Sequence, residues 1–157
     1  MSDTADTAQV TRKLGERYAD DIIALRRHFH QHPELSAQEH ATSDYICAYL
    51  DELGIPYERI TGPHPEDKRE ERDEFIGTGI IATIRGEAPD AYDSQGNPAK
   101  RVALRCDMDA LPVIEKTDLP FASQNDGVMH ACGHDCHMAM QLGAARILMD
   151  MLDQLHG

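Results

Sequence analysis

The densest group of chemically reactive side chains lies in residues 129–137, which read MHACGHDCH. Five of the eight residues from 130 to 137 are His or Cys. Thiolate, imidazole and carboxylate groups are the ligands of zinc and related divalent ions. Gly133 separates Cys132 from His134, and a glycine lets the backbone bend so that both side chains face one ion. The alternative interpretation is a surface histidine cluster beside two buried cysteines.

Two carboxylates form a second candidate cluster in residues 105–112, which read RCDMDALP. Asp107 and Asp109 follow directly after an apolar segment and would share one side of an extended chain. Functional sites of α/β proteins gather at the carboxyl ends of strands. Like charges this close need a cation, or one carboxylate must take up a proton. The alternative is a solvated turn that Pro112 ends.

Amphipathic helices are predicted on the N-terminal side of both clusters. Apolar residues recur every three or four positions from Val10 to Phe29, which predicts a helix. It is expected to end near His32, because a proline follows. A second helix is predicted to begin with a capping box over residues 36–39 and to stop at Gly54.

The remaining pattern alternates short apolar runs with polar loops. Strands are predicted at 55–60, 78–85 and 102–106, polar loops at 61–75 and 86–100, a third helix from about 135 to 155, and a frayed tail at 1–8. Helices that flank a short sheet indicate an α/β layered domain. The pattern does not indicate whether the strands run parallel or antiparallel.

Composition excludes several classes of protein. The 157 residues fit one domain, and 15 basic against 28 acidic side chains give a net charge of −13. Such a surface repels nucleic acids and anionic membranes. No apolar run approaches the roughly 20 residues of a membrane span, and the N-terminal segment lacks the features of a secretory signal. Four cysteines are too few for a disulfide scaffold, so we expect a cytoplasmic protein.

The remaining cysteines and histidines are expected to be structural. Cys47 is predicted to pack in the second helix, and Cys106 to be a small buried residue. The histidines at 28, 30 and 32 are expected to pack or hydrogen-bond rather than bind a metal.

Four segments together resemble a known family. They are LRRHFHQHPEL at 25–35, RCDMDALP at 105–112, PFAS at 120–123 and GVMHACGHDCHMAMQLGAA at 127–145. Their order and spacing resemble the N-terminal part of the metal-dependent M20 amidohydrolases. The resemblance is to the branch that hydrolyses N-acyl amino acids, hippurate and indole-acetyl amino acids, and it covers residues 20 to 155.

The resemblance implies a fold and a chemistry. The fold would be a layered α/β/α, zinc-peptidase-like catalytic domain, and in the family a smaller lid domain forms the homodimer. Such enzymes bind two divalent ions, zinc or manganese, and hydrolyse the amide bond of a small N-acyl amino acid. Cys132 and His134 match the first two metal ligands. Asp109, the catalytic candidate, matches the aspartate that orients a ligating histidine, while Asp107 occupies the position of a histidine in the wider clan. The possible supporting residues around the ligands are Asp107, Asp135 and His137.

The resemblance also implies that the chain is truncated. The family's paired glutamates, its further histidine ligands and its lid domain come after residue 157, so residues 9–157 would be the N-terminal portion of the catalytic domain. Two alternatives remain. One is an inactive fragment or remnant with at most weak metal binding. The other is a small Cys/His metal or thiol sensor that uses Cys132 and Cys136.

Overall fold

The N-terminal third of the protein forms helices. The computed structural model describes residues 3–61 and 76–157. Helix α1 spans Asp3–Arg17 and α2 spans Ala19–Gln31, so the single helix predicted by the periodicity is divided at Tyr18. Backbone hydrogen bonding continues across this residue, because its amide bonds to the carbonyl of Leu14 at 3.0 Å and its carbonyl accepts the Ile22 amide at 3.0 Å.

The C-terminal end of this helical segment matches the sequence prediction, whereas its N-terminal end lies earlier than predicted. Helix α2 ends at Gln31, one residue before His32, as predicted. Helix α1 begins at Asp3, inside the segment expected to be a frayed tail. Ala8 and Gln9 have high helix propensity, and an acidic residue such as Asp6 is favourable near a helix N-terminus.

Helix α3 spans His40–Leu53 and begins later than predicted. The expected capping box at residues 36–39 is wrong, because Ala37 adopts a left-handed conformation with φ of 63°. The carboxylate of Glu34 caps the helix instead and accepts the amides of Ala41 at 3.1 Å and Thr42 at 2.7 Å. The predicted stop at Gly54 is confirmed, since this residue has φ of 68° in a left-handed C-cap.

A two-stranded antiparallel sheet follows. Strand β1 spans Tyr57–Thr61 and β2 spans Ile76–Ala82. Tyr57 pairs with Ala82 and Arg59 with Ile80. Two of the three predicted strands are thus confirmed with shifted ends. The polar loop predicted at 61–75 lies, except for Thr61, outside the described residues.

The third predicted strand, at residues 102–106, is wrong. The segment belongs to no strand, and Val102 is 84% and Leu104 is 61% exposed. A β-strand needs a partner for its backbone groups, and within the described ranges no segment pairs with this one. The polar loop at 86–100 is confirmed as irregular, with the Asp93 carboxylate accepting the amides of Gln95 and Asn97.

Helix α4 spans His134–Met149 and ends before the predicted Leu155. The helix ends before Asp150, whose carboxylate accepts a hydrogen bond from the Tyr18 hydroxyl. Met151 then turns into the interior, and a short 3-10 turn covers Leu152–Gln154.

The core lies between α2, α3 and α4. Its buried members are Leu25, Phe29, Ile46, Leu50, Ile55, Met138, Ala139 and Leu142. The close approach of α4 to α2 depends on Gly143, where a Cβ would lie 2.6 Å from Ile22 Cδ1. Cys47 is buried against this core, as predicted. The protein is of the α/β class, with helices packed beside a small sheet. Among the helices described, none is long and apolar enough to cross a membrane.

Candidate metal centre

The segment that carries the two aspartates is held by backbone hydrogen bonds on both sides. Leu111 and Met129 form an antiparallel bridge with two N–H···O bonds of 3.0 Å. The Ala110 amide donates to the carbonyl of Glu34 at 2.7 Å. Residues 107–111 therefore lie between the turn that follows α2 and the chain that leads into α4.

The start of α4 presents the two predicted metal ligands. Gly133 is the N-cap and has φ of 93°, a left-handed conformation that side chains disfavour. This glycine separates the exposed Cys132, a free thiol, from the half-buried His134. The bend that the sequence predicted at Gly133 is therefore present, at the point where the helix begins.

His134 is oriented by Asp109. Its Nδ1 lies 2.8 Å from the backbone carbonyl oxygen of Asp109 and 3.0 Å from the carboxylate Oδ1 of the same residue. Both partners are acceptors, so Nδ1 donates the proton and Nε2 carries the lone pair. A histidine whose far nitrogen is held in this way is prepared to bind a metal through the other.

The free nitrogen of His134 faces Asp107. Nε2 lies 4.0 Å from Oδ2 of Asp107, and the other carboxylate oxygen of Asp107 accepts a hydrogen bond from Arg105. Two ligands of one zinc ion lie at most about 4.2 Å apart, since each bond is roughly 2.1 Å long. The separation therefore fits two atoms that face one divalent ion.

The remaining predicted site residues do not converge on this point. Asp135 is buried and points toward α2, where it contacts His30 and Arg26. His137 is exposed, and its ring centroid lies 5.6 Å from that of His134. Over the described ranges, no group of three or more His, Cys, Asp or Glu side chains is arranged to hold a metal ion. The Nε2 atom of His134 and the carboxylate of Asp107 thus fit one part of a divalent metal site.

A buried polar network behind α4 was not identified from the sequence. The ring of His30 lies between two carboxylates, with Nδ1 2.7 Å from Asp135 Oδ2 and Nε2 3.1 Å from Glu115 Oε1. Burial raises the pKa of Glu115, but hydrogen bonds from Thr117, the Ser123 amide and His30 outweigh it and leave the pKa below its ordinary value. Glu115 lies in an irregular segment before residues 120–123. Its sequence has no helix or strand periodicity that could have indicated this contact.

The other two histidines of the α2 terminus behave as expected. His28 stacks on Tyr45 at a centroid distance of 3.8 Å, and burial together with the nearby His32 lowers its pKa. His32 contacts the carbonyl of His28 through Nδ1 at 2.8 Å. Their contacts confirm the prediction that these residues pack or hydrogen-bond.

His130 is the most strongly perturbed titratable group near the centre. It is 4% exposed, and neither ring nitrogen has a hydrogen-bond partner within the described part of the chain. Burial lowers its pKa to about 4, although Asp135 and Asp109 oppose the shift. Burial also raises the pKa of the Cys106 thiol, with a contribution from Asp107. Both side chains are therefore uncharged at neutral pH.

Comparisons with known proteins identify a family that the chain resembles. Residues 103–157 match Peptidase family M20/M25/M40. The chain is 38% identical over 151 residues to an N-acyl-L-amino acid amidohydrolase of Geobacillus stearothermophilus, a match that covers 96% of this chain and 35% of that protein. It is 45% identical over 136 residues to the N-acetyl-L-cysteine deacetylase of Bacillus subtilis, covering 87% of this chain and 27% of that protein.

A solved structure shares the fold. The YXEP protein of Bacillus subtilis, a dinuclear metal binding peptidase from the M20 family, superposes with a TM-score of 0.69 at 38% sequence identity, over 90% of this chain and 34% of that one. The chain spans about a third of the length of the curated relatives it matches. The family resemblance predicted from the motifs is thereby confirmed: the chain is similar to members of Peptidase family M20/M25/M40 and matches an N-terminal part of them.

Proposed function

We propose that this chain supplies part of the metal centre of an amidohydrolase that cleaves the amide bond of N-acyl amino acids. The observation that carries the proposal is the orientation of His134, whose Nδ1 is held by Asp109 while Nε2 faces Asp107 at 4.0 Å. A free imidazole nitrogen opposite a carboxylate is a donor pair for a divalent ion.

Each side chain has a distinct role in this proposal. His134 and Cys132 are the metal ligands. Asp109 fixes the tautomer and the direction of His134, which makes the ring a better ligand. Asp107 either supports the ligands or contacts the ion. When bound, a divalent ion such as zinc or manganese polarises a carbonyl and makes a bound water more acidic.

The substrate class is supported by the relatives. Two of them are named as an N-acyl-L-amino acid amidohydrolase and an N-acetyl-L-cysteine deacetylase. A third is a thermostable carboxypeptidase of Saccharolobus solfataricus, 43% identical over 138 residues. All three names describe hydrolysis of an amide or peptide bond next to an amino acid, and a small N-acyl amino acid is the substrate we propose. The proposed location is the cytoplasm.

The test is metal content followed by hydrolysis. The purified chain is dialysed against zinc or manganese, its metal is counted by mass spectrometry, and N-acetyl and N-benzoyl amino acids are offered as substrates. We expect retained metal that is lost in His134→Ala and Cys132→Ser. His156→Ala is the matched control, since this exposed histidine contacts Asp90 rather than the centre. Retention of equal metal by all three variants would overturn the proposed centre.

A second candidate is an inactive remnant with weak metal binding. The observation that favours it is the incomplete ligand set, since the described residues bring no three donor side chains together. This candidate predicts metal binding that dialysis removes, and no hydrolysis at any metal loading. Hydrolysis that depends on His134 would exclude it.

A third candidate is a thiol-based sensor. It is favoured by the exposure of Cys132, which forms no disulfide. This candidate predicts that the Cys132 thiol reacts rapidly with an alkylating agent, that metal protects it, and that no amide is hydrolysed. The hydrolase proposal predicts metal protection together with hydrolysis, so the two outcomes are distinct.

A further inference from the structure

Asp135 is anchored away from the candidate metal centre. Its carboxylate is 1% exposed, and Oδ2 lies 2.7 Å from Nδ1 of His30 and 2.9 Å from Nε of Arg26. Both partners belong to α2, whereas Asp135 belongs to the first turn of α4. A buried carboxylate is costly unless it is paired and hydrogen-bonded. The contact therefore ties the beginning of α4 to α2.

His30 continues the connection to a third segment. Its ring is 3% exposed, and Nε2 lies 3.1 Å from Oε1 of Glu115. The other oxygen of Glu115 accepts the Ser123 amide at 2.6 Å. The ring of His30 therefore lies between two carboxylates, each of which is within hydrogen-bond distance of one ring nitrogen.

Phe121 covers the outer side of this network. Its ring lies edge-on to that of His30 at a centroid distance of 5.8 Å, and the guanidinium of Arg26 lies 5.0 Å from its centroid. An aromatic face beside a guanidinium adds a cation–π attraction. The segment that carries Phe121 and Ser123 thus contacts this network at two points.

The geometry of a helix connects this anchor to the metal centre. Successive residues of an α-helix project about 100° apart around its axis. Asp135 accordingly contacts α2, while the side chain of the preceding residue, His134, contacts Asp109. If the Asp135 contact were lost, the first turn of α4 could rotate, and the two hydrogen bonds from His134 to Asp109 would weaken.

We propose that Asp135 is a positioning residue: held by His30 and Arg26, it sets the rotation of the first turn of α4 and thereby keeps Nδ1 of His134 on Asp109 and Nε2 free for a metal. The effect on metal affinity rests on the proposed function. The effect on the orientation of His134 does not depend on that function and can be measured without metal.

The primary experiment reads the tautomer of His134 in the metal-free chain. Long-range proton–nitrogen NMR spectra distinguish a ring with its proton on Nδ1 from one with the proton on Nε2. We expect the wild-type chain to show His134 protonated on Nδ1. His30→Ala is expected to mix the tautomers, whereas His30→Asn, which keeps an amide donor for Asp135, is expected to restore the wild-type spectrum. Asp135→Asn is the second disruptive variant if His30→Ala does not fold.

The matched control is Glu39→Gln. Glu39 is also a buried carboxylate, and it accepts the Thr78 hydroxyl at 2.8 Å, but it belongs to the start of α3. Its replacement perturbs a buried polar contact of the same kind without touching α4. We expect the His134 spectrum of this variant to match the wild type at equal folded fraction, as measured by circular dichroism.

The second readout is the dissociation constant for Co²⁺, followed by the absorption of the cobalt–thiolate bond. We expect His30→Ala to weaken binding by about tenfold, as is typical when a residue behind a ligand is removed, and Glu39→Gln to leave it unchanged. If the wild type binds no Co²⁺ but His30→Ala still mixes the tautomers, the proposed function fails and the positioning role stands. An unchanged His134 tautomer in folded His30→Ala and Asp135→Asn would overturn the inference.

Discussion

A bifurcated hydrogen bond joins His134 to Asp109. The Nδ1 atom of His134 donates to the backbone carbonyl oxygen of Asp109 at 2.8 Å and to its carboxylate at 3.0 Å. The residues are 25 positions apart in sequence, and each is held by its own element. Asp109 lies two residues before Leu111, which bridges to Met129, and His134 begins α4. The contact fixes which nitrogen of His134 is available to a ligand.

Removing the carboxylate of Asp109 should weaken metal binding. Asp109→Ala leaves only the backbone carbonyl as acceptor, so the ring of His134 loses part of its restraint. We expect a loss of about 10- to 100-fold in metal affinity, measured by competition against a zinc-chelating dye. Asp109→Asn, which keeps an acceptor oxygen, should lose less. Equal affinities in Asp109→Ala and the wild type would show that the contact does not prepare a ligand.

The two cysteines near α4 should respond differently to serine substitution. Cys132 is exposed beside Gly133, whereas Cys136 is half-buried within the helix. A thiolate is a much better ligand for zinc than a serine hydroxyl. Cys132→Ser is therefore expected to reduce zinc affinity, and Cys136→Ser to leave it within about threefold of the wild type. Isothermal titration calorimetry with zinc measures both. A larger loss of zinc affinity in Cys136→Ser than in Cys132→Ser would indicate Cys136 as the ligand instead.

The sequence predicted those features that depend on residues close together in the chain. The cluster at 130–137 indicated Cys132 and His134 as metal ligands because the ligand types are close together in the chain, and this assignment stays a prediction. Gly54 was predicted as a helix stop because a glycine adopts the left-handed conformation at little cost, and the structure has φ of 68° there. The two confirmed strands were predicted by their β-branched and apolar runs.

The features that the sequence missed depend on contacts between distant residues. Leu104 lies in an apolar run, but a strand forms only where another strand pairs with it, and local pattern carries no information about the partner. The contact between His30 and Asp135 joins residues 105 positions apart. The local sequence around His30 predicted packing or hydrogen bonding, but it did not indicate which carboxylates lie beside the ring.

The acid sensitivity of the fold should include a contribution from Glu115. Its pKa is raised by burial but lowered overall by the hydrogen bonds of Thr117, Ser123 and His30 from the ordinary value of 4.5. A carboxylate with a lowered folded pKa contributes stability that is present above the unfolded pKa and is lost as the pH falls through the folded pKa. His30 is the titratable side chain that faces it.

We therefore expect the free energy of unfolding of the wild type to fall more steeply below about pH 4.5 than that of Glu115→Gln. Urea unfolding at a series of pH values, followed by circular dichroism, measures the two slopes. The other carboxylates with lowered pKa, Asp90 and Asp93, are unchanged in both proteins and cancel in the comparison. Parallel curves for the two proteins would contradict the assigned contacts of Glu115.

The start of α3 offers a direct contrast between the predicted cap and the observed one. The sequence indicated Ser36 as the capping residue, but the carboxylate of Glu34 accepts the amides of Ala41 and Thr42. A carboxylate at this place satisfies two backbone donors and is favourable at the positive end of the helix dipole. Glu34→Ala is expected to reduce the free energy of unfolding by about 1 kcal/mol, as the loss of a cap does.

Ser36→Ala is the matched control, since it removes the hydroxyl of an exposed residue that the structure does not place at the helix end. Its free energy of unfolding is expected to lie within about 0.5 kcal/mol of the wild type. Urea unfolding at neutral pH measures both variants under identical conditions. A greater loss in Ser36→Ala than in Glu34→Ala would restore the capping box that the sequence suggested.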